Sequence, residues 1–349
     1  MAEIFYTVSP DLHRMARVEE GSVVELDFEI PNKPSSLLGS IYTGRVREIQ
    51  KPLQAAFVDI GLSKPGILPL REGKLPHVKQ GEAVLVQVTR TENPIEDKGV
   101  RLTRLITLAL GSLLYTPFRP GLSLSKKLKN REMFKDLLHL SPEEGLIIRN
   151  WALPDDSLKE TLAQLRSEWS EFLVKATQHP PTIVRSPLTL MERILRTLGA
   201  SDSLLVDDRK MAQDITRFSR EKAFDESCEE AWESILSAEI PLPQGGSLYI
   251  EETRGLTVID INSSGALRQI LPFNRIAIKE ALRQIRLRNL GGKIVIDLIS
   301  SFKESEPLLK GMVFPSDLEV WGISHMGLLE LTRRRTGLSL PQRLKLQLN

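Results

Sequence analysis

A chain of 349 residues, 41% hydrophobic and 26% charged, has room for two or three domains and the make-up of an ordinary globular protein. Its single cysteine, Cys228, excludes an internal disulfide framework and a four-thiolate zinc site within one chain. Forty-seven basic and 45 acidic residues leave a net charge of +2, a total that points to no partner by itself.

No run of 18 consecutive apolar residues is present, which excludes a membrane-spanning helix. Residues 1–10 carry Glu3 and no long apolar stretch, so they do not read as a secretory leader, and a reducing cytoplasm is the expected compartment. The basic residues cluster at Lys126-Lys127-Lys129-Arg131, at Arg283-Arg286-Arg288 and at Arg333-Arg334-Arg335. Such clusters can follow a phosphate backbone; each one alone is as readily a solvated face.

In chain order, Arg17–Ile30 reads as a β-hairpin around Gly21, closed by Pro31 and Pro34. From Gly39 to about Leu108 come five short β-type runs, SIYTGRVREI, QAAFVDIG, GILPL, EAVLVQVTRT and GVRLTRLITL. Turn residues separate them, as in a small barrel, of which the OB-fold is the common type at this size. Farther on, GLIIR (Gly145–Arg149) reads as a strand ending in arginine. Ser157 with Glu160 matches a capping box, and Leu158, Leu162, Leu165, Trp169, Phe172 and Leu173 follow as an apolar helical stripe. The segment 182–242 alternates strand and helix: TIVRS, a helix over Leu190–Leu198, SLLVDD and two amphipathic helices.

After Gly246, SLYIEET and LTVIDIN form a hairpin around Arg254-Gly255. A helix over about Phe273–Asn289 ends at Gly291-Gly292, and the nearly all-apolar KIVIDLI reads as a strand covered on both faces. Side chains two apart on a strand share a face, so Asp260 and Asn262 point the same way. Asp297 interrupts the apolar strand, where an isolated carboxylate is costly to bury. If the two strands are neighbours, two carboxylates and an amide oxygen converge, a hard-oxygen set that suits magnesium rather than zinc. The alternative is that Asp260 caps a turn and Asp297 pairs with a buried base.

The segments LTVIDINSS, RQIRLRNLGGKIVIDLI and SHMGLLELTRRR, in that order, resemble the catalytic region of the ribonuclease E/G family. The likeness continues upstream through GSLYIEET, GLIIRN and IYTGRVREI…LQAAFVDIG…GILPL, and so covers essentially the whole chain. The resemblance implies an α/β (α+β) multidomain protein. Its parts are an RNase H-like domain in two pieces (1–36 and 182–243), an OB-fold RNA-binding barrel (37–108), a sensor region for the 5′ end of RNA (109–181) and a DNase I-like catalytic domain (244–349). It further implies a magnesium-dependent endoribonuclease acting on single-stranded, A/U-rich RNA in RNA processing or decay, with manganese as a substitute metal and products bearing 5′-phosphate and 3′-hydroxyl ends. The alternative within the family is a catalytically inactive RNA-binding relative.

Carried over by position, Asp260 and Asp297 hold the metal, and Asn262 orients the scissile phosphate or the attacking water. Phe57 matches a base-stacking aromatic, although an alternating strand equally well places it in a core. Lys98 matches a basic residue along the RNA path, and Arg149 the arginine that clamps a 5′-monophosphate, with Gly111 and Tyr115 in the sensor wall. The chain departs from the family at Asn150, where a threonine is expected, at Ile67 in place of a second barrel aromatic, and at His325 in place of an arginine. No cysteine follows Cys228, so the family's CPxC zinc link, and zinc itself, are not expected. A monomer or a homodimer joined without zinc is expected instead, without the long tail that recruits degradosome proteins. No GxxxxGK[ST], strand-coupled GxGxxG or HExxH motif suggests another enzyme class.

Overall fold

The structure, a computed structural model, describes residues 2–31, 33, 36–72, 75–94, 97–125, 128, 131–149, 152, 154–199, 201–209, 223–265, 269–299 and 306–347. Two compact units divide the chain: one is Glu29–Ser203, the other Ala2–Phe28 with Leu204–Asn349. No helix among the described residues is long and apolar enough to cross a membrane.

In the second unit, β1 (Ala2–Val8) pairs antiparallel with β2 (His13–Glu19), and β3 (Ser22–Glu29) follows as its next neighbour. Glu20 and Gly21 between them have φ of 51° and 74°, the two positive values a two-residue type I′ turn requires. The hairpin expected around Gly21 is therefore present.

The first unit holds the barrel. Its strands are β4 (Ile41–Gln50), β5 (Ala55–Asp59), β6 (Gly66–Pro69), β7 (Ala83–Arg90) and β8 (Arg101–Thr103). They lie in the order β4-β5-β6-β8-β7, and a further β7–β4 pairing closes the ring as an OB-like barrel. Ten-residue β4 serves both ends of the ring: Ile41–Arg45 pair with β7 and Arg45–Gln50 with β5. Alternation fills the interior with Ala56, Val58, Leu68, Val86 and Leu102, each 0–1% exposed.

Beyond the barrel, β9 (Leu108–Leu110), β10 (Leu113–Tyr115), β11 (Gly121–Leu124) and β12 (Gly145–Ile148) form a small sheet, with α1 (Arg131–Leu137) between the last two. The 20-residue α2 (Ser157–Ala176) buries Leu158, Leu162, Leu165, Trp169 and Phe172, but Leu173 is 47% exposed and leaves the expected stripe. The Ser157–Glu160 capping box does not form. Asp155 accepts the Ser157 N–H at 3.1 Å and its hydroxyl, which takes Ser157 out of the capping position.

β13 (Thr182–Arg185) adds to β4, and α3 (Leu190–Leu195) ends three residues earlier than its apolar pattern suggests. Here a capping box does form: Thr189 Oγ1 accepts the Glu192 N–H at 3.2 Å, and Glu192 Oε2 accepts the Thr189 N–H at 2.7 Å. Thr189→Ala is expected to cost about 1 kcal/mol, read as a lower denaturant midpoint at unchanged slope.

Returning to the second unit, β14 (Ser203–Val206) completes the first sheet beside β1. Of the two helices expected after it, the described residues include α4 (Glu226–Glu233). The last sheet runs β15-β16-β17-β18-β20-β19, from β15 (Glu239–Pro241), β16 (Ser247–Glu252), β17 (Leu256–Asn262), β18 (Gly292–Asp297), β19 (Leu318–Ile323) and β20 (Leu328–Arg333). One face packs on α5 (Ile270–Leu287), whose Phe273, Ala277, Ile278, Ala281 and Ile285 meet Leu248, Ile259, Ile294, Ile296 and Leu329. Their spacing is that of one helical stripe, and each fully buried Ile or Leu contributes roughly 1.5–3 kcal/mol. A final helix, α6, spans Leu340–Gln347.

Asn289, not Gly291, reverses the chain after α5. Its φ is 51°, with Asn289 N–H bonded to Arg286 O and Leu290 N–H to Ile285 O, a Schellman closure. Arg283, Arg286, Arg288 and Arg333 are engaged within the protein. Arg286 grips Glu19 through two bonds of 2.8 Å and holds its carboxyl down at about 2. Arg283 binds Glu280 and the Val23 carbonyl. Arg288 is buried against Gln284 and Ser234, its pKa brought down to about 10 by that burial. Arg333 ties Asp317 to the Asn289-Leu290 turn. Lys126, Lys127 and Lys129 lie outside the described residues.

Candidate active site and nucleic-acid surface

The two strands that sequence alone could not pair are neighbours. β17 and β18 run parallel, joined by the α5 crossover, and Asp260 stands in register with Asp297. Register partners on adjacent parallel strands share a face at about 4.8 Å between backbones. Thr257, Ile259, Ile261, Ile294 and Ile296 face the core, so Asp260, Asn262 and Asp297 all lie on the opposite, open face, and all three are exposed. This corrects the expectation that β18 is covered on both sides: its open face carries Lys293, Val295 and Asp297. Asp297 is therefore no buried carboxylate in search of a base.

Among the described residues neither aspartate has an ion-pair partner, and no third His, Cys, Asp or Glu joins them. Two like charges facing each other across adjacent strands repel by roughly 0.2–1 kcal/mol. A divalent cation reverses that sign. Magnesium is commonly held by one or two carboxylates, with water and phosphate oxygens completing its shell, so the donor set fits. Asn262 is held differently: its Oδ1 accepts the Ser264 N–H at 2.9 Å in an Asx turn, where Ser264 has φ of 44°. That bond fixes the amide and leaves Nδ2 as the group suited to an anion.

Two neighbours on this face have no counterpart in the motif reading. Tyr249, 45% exposed, is the register partner of Asp260. Trp321, 65% exposed, donates its indole N–H to Thr332 Oγ1 at 3.1 Å. Alternation along SLYIEET carries the signal for Tyr249, whereas Trp321 sits at a β-bulge that no sequence period marks. His325 is exposed in the β19–β20 turn, at the sheet end where Leu328 pairs with Asp297.

In the first unit Phe57 faces outward between buried Ala56 and Val58, which removes the core alternative. Its register partner on β6 is Ile67. Lys98 is exposed in the β7–β8 connection, bridged to Asn93. Arg149 and Gly111 meet: Arg149 Nη1 donates to Gly111 O at 3.4 Å, and the Arg149 N–H to Ser112 O at 2.9 Å. Gly111 turns the β9–β10 hairpin with φ of 55°. Burial lowers the Arg149 pKa from its usual value. Tyr115, by contrast, is 3% exposed and packs in the core, its hydroxyl bonded to Glu144 at 3.0 Å. Burial and Glu144 push its pKa up to about 12. A side chain so placed supports the β9–β12 sheet from within and does not line an open wall. Asn150 lies outside the described residues.

Residues 107–336 match the model of the ribonuclease E/G family. Across 96% of its length the chain is 29% identical to ribonuclease G of Salmonella typhimurium (strain SL1344) and of Escherichia coli (strain K12), covering 80% of each. It is also 29% identical to ribonuclease E of Haemophilus influenzae, of which it covers 41%. With the matched segment spanning the whole carboxylate sheet and well over half of the sequence, the chain belongs to the ribonuclease E/G family.

Proposed function

We propose that the protein is an endoribonuclease that cuts single-stranded, A/U-rich RNA in RNA processing or decay, with magnesium, or manganese in its place, held by Asp260 and Asp297. The observation that carries this reading is the in-register pair of open carboxylates on neighbouring parallel strands. When bound, the cation supplies charge stabilisation at a phosphate and lowers the pKa of a coordinated water. Asn262, fixed through its Oδ1, presents an N–H to a phosphate oxygen and so orients the bond to be cut. Products carry 5′-phosphate and 3′-hydroxyl ends. Phe57 and Lys98 hold the strand at the barrel. Arg149, steadied by the Gly111 carbonyl, is the group suited to a 5′-monophosphate, since a planar fork matches a phosphate's oxygens. The first sheet with β14 is read as part of the RNase H-like domain, and the β15–β20 sheet as the DNase I-like domain.

The test pairs a 5′-monophosphate and a 5′-hydroxyl version of one fluorescent A/U-rich oligomer, with magnesium and with chelator, at a concentration where mass has been measured. Cleavage is expected only with metal, and faster on the monophosphate. Cutting that persists in chelator overturns the metal assignment. A gel shift without any product marks instead a non-catalytic RNA-binding relative.

A further inference from the structure

One row of side chains crosses the outer surface of the barrel from strand to strand. Glu48 on β4, Phe57 on β5, Ile67 on β6, Arg101 on β8 and Arg90 on β7 are successive register partners. Their outward direction follows from alternation, because Ala56, Val58, Leu68 and Leu102 beside them fill the interior. Phe57 and Ile67 are half-buried and Arg101 is exposed.

Arg101 differs from its neighbours in what its guanidinium does. Arg47 is paired with Asp59, Arg45 donates to the Gly81 carbonyl at 2.9 Å, and Arg104 lies 3.8 Å from Glu72. These charges are engaged within the protein. Among the described residues no carboxylate or carbonyl meets the Arg101 side chain; the bond recorded at this position, from Thr89 Oγ1 at 3.2 Å, goes to its backbone carbonyl. A planar cation with no partner among the described residues thus stands two strands, or about 10 Å, from an outward phenyl ring, with an isoleucine between them. In OB-folds the face of the second and third strands binds oligonucleotides; Phe57 and Ile67 lie on those strands, and Arg101 is the register partner of Ile67 on the strand beside them.

We infer that Arg101 is a nucleobase-stacking residue: Phe57, Ile67 and Arg101 form one platform on which successive bases of single-stranded RNA rest, a base on the ring, an apolar floor beneath the step, and a base on the guanidinium plane. Arginine suits this position because its group is flat, permanently charged and weakly hydrated, so it stacks on a base while attracting the backbone. A lysine supplies the charge without the plane. Phe57 alone leaves room for one stacked base; Arg101 extends the footprint along the row.

This inference rests on the proposed RNA-binding role of the barrel, and the experiment separates the two. Anisotropy of labelled A/U oligomers is measured in chelator, so that nothing is cut, for wild type, Arg101→Ala, Arg101→Lys and Phe57→Ala. Arg101→Ala is expected to weaken binding about tenfold, as does Phe57→Ala, since each base–side-chain stack lost is worth a similar amount. Arg101→Lys restores the salt dependence but not the affinity, and it binds an abasic oligomer as well as wild type does. The side chain is exposed and has no partner among the described residues, so unchanged circular dichroism is expected for both Arg101 variants. If Arg101→Lys matches wild type on base-bearing RNA, or Arg101→Ala binds unaltered, the stacking role is overturned while the barrel's RNA binding stands. Wild type that binds no RNA overturns both.

Discussion

Asp297→Asn and Asp260→Asn are each expected to lower the cleavage rate of a fluorescent A/U-rich oligomer by roughly a thousandfold, about 4 kcal/mol of lost charge stabilisation. Either change removes one of two anionic oxygen donors while keeping the side chain's shape. Both positions are exposed, so neither substitution opens a cavity or strands a buried group. In metal-free protein the sign of the stability change is opposite to that of activity. Relieving the repulsion between register partners makes each variant more stable by a few tenths of a kcal/mol. Added magnesium should then raise the melting temperature of wild type and leave that of either variant nearly unmoved. A variant that cuts within tenfold of wild type sinks the assignment of the carboxylate pair, and a variant that melts early instead marks a structural role.

The second large effect concerns Glu144, just ahead of β12. Arg166 of α2 donates to it twice, at 2.8 and 2.7 Å, while the Tyr115 hydroxyl and the Ser141 N–H add bonds of 3.0 Å each. Arg166 foremost holds the carboxyl at about 2, against an ordinary 4.5. The folded value is the depressed one, so this contribution is complete above pH 4.5 and is lost as pH falls through about 2. Glu144→Gln keeps the shape and removes the charge. It is expected to cost about 2 kcal/mol at pH 7, a figure already reduced for the solvent that reaches Arg166. Urea titrations of the two proteins should converge toward pH 2. Curves that stay equally far apart from pH 7 to pH 2 would contradict the ion-pair account.

Much of the barrel was legible because each of its strands is bounded by turn residues and alternates, so Ala56 and Val58 point in and Phe57 points out. Period two likewise put Asp260 and Asn262 on one side. Adjacency was not legible: β17 and β18 are joined through a helix, and no local signal says which strand the crossover returns to. Apolar content alone misled at β18, where Val295 sits on the open face although its residue type suits a core. The arginines at 283, 286 and 288 resembled a phosphate track because Glu19 and Ser234, which engage two of them, lie far away in sequence. At helix ends two rules competed for the same residues: Asp155 captured Ser157 before it could cap, and Asn289 took the left-handed position that glycine usually fills. The family resemblance supplied what spacing could not, namely which carboxylates belong together.

The parallel register of β17 with β18 also bears on when the protein can act. Asp260 stands on the first strand, and Asp297 reaches its side only once α5 has folded back and the second strand has annealed beside it. In a copy still emerging from the ribosome, or one partly unravelled by heat, the two carboxylates do not stand side by side. On the proposed reading, metal-dependent scission would therefore require both strands to be in place.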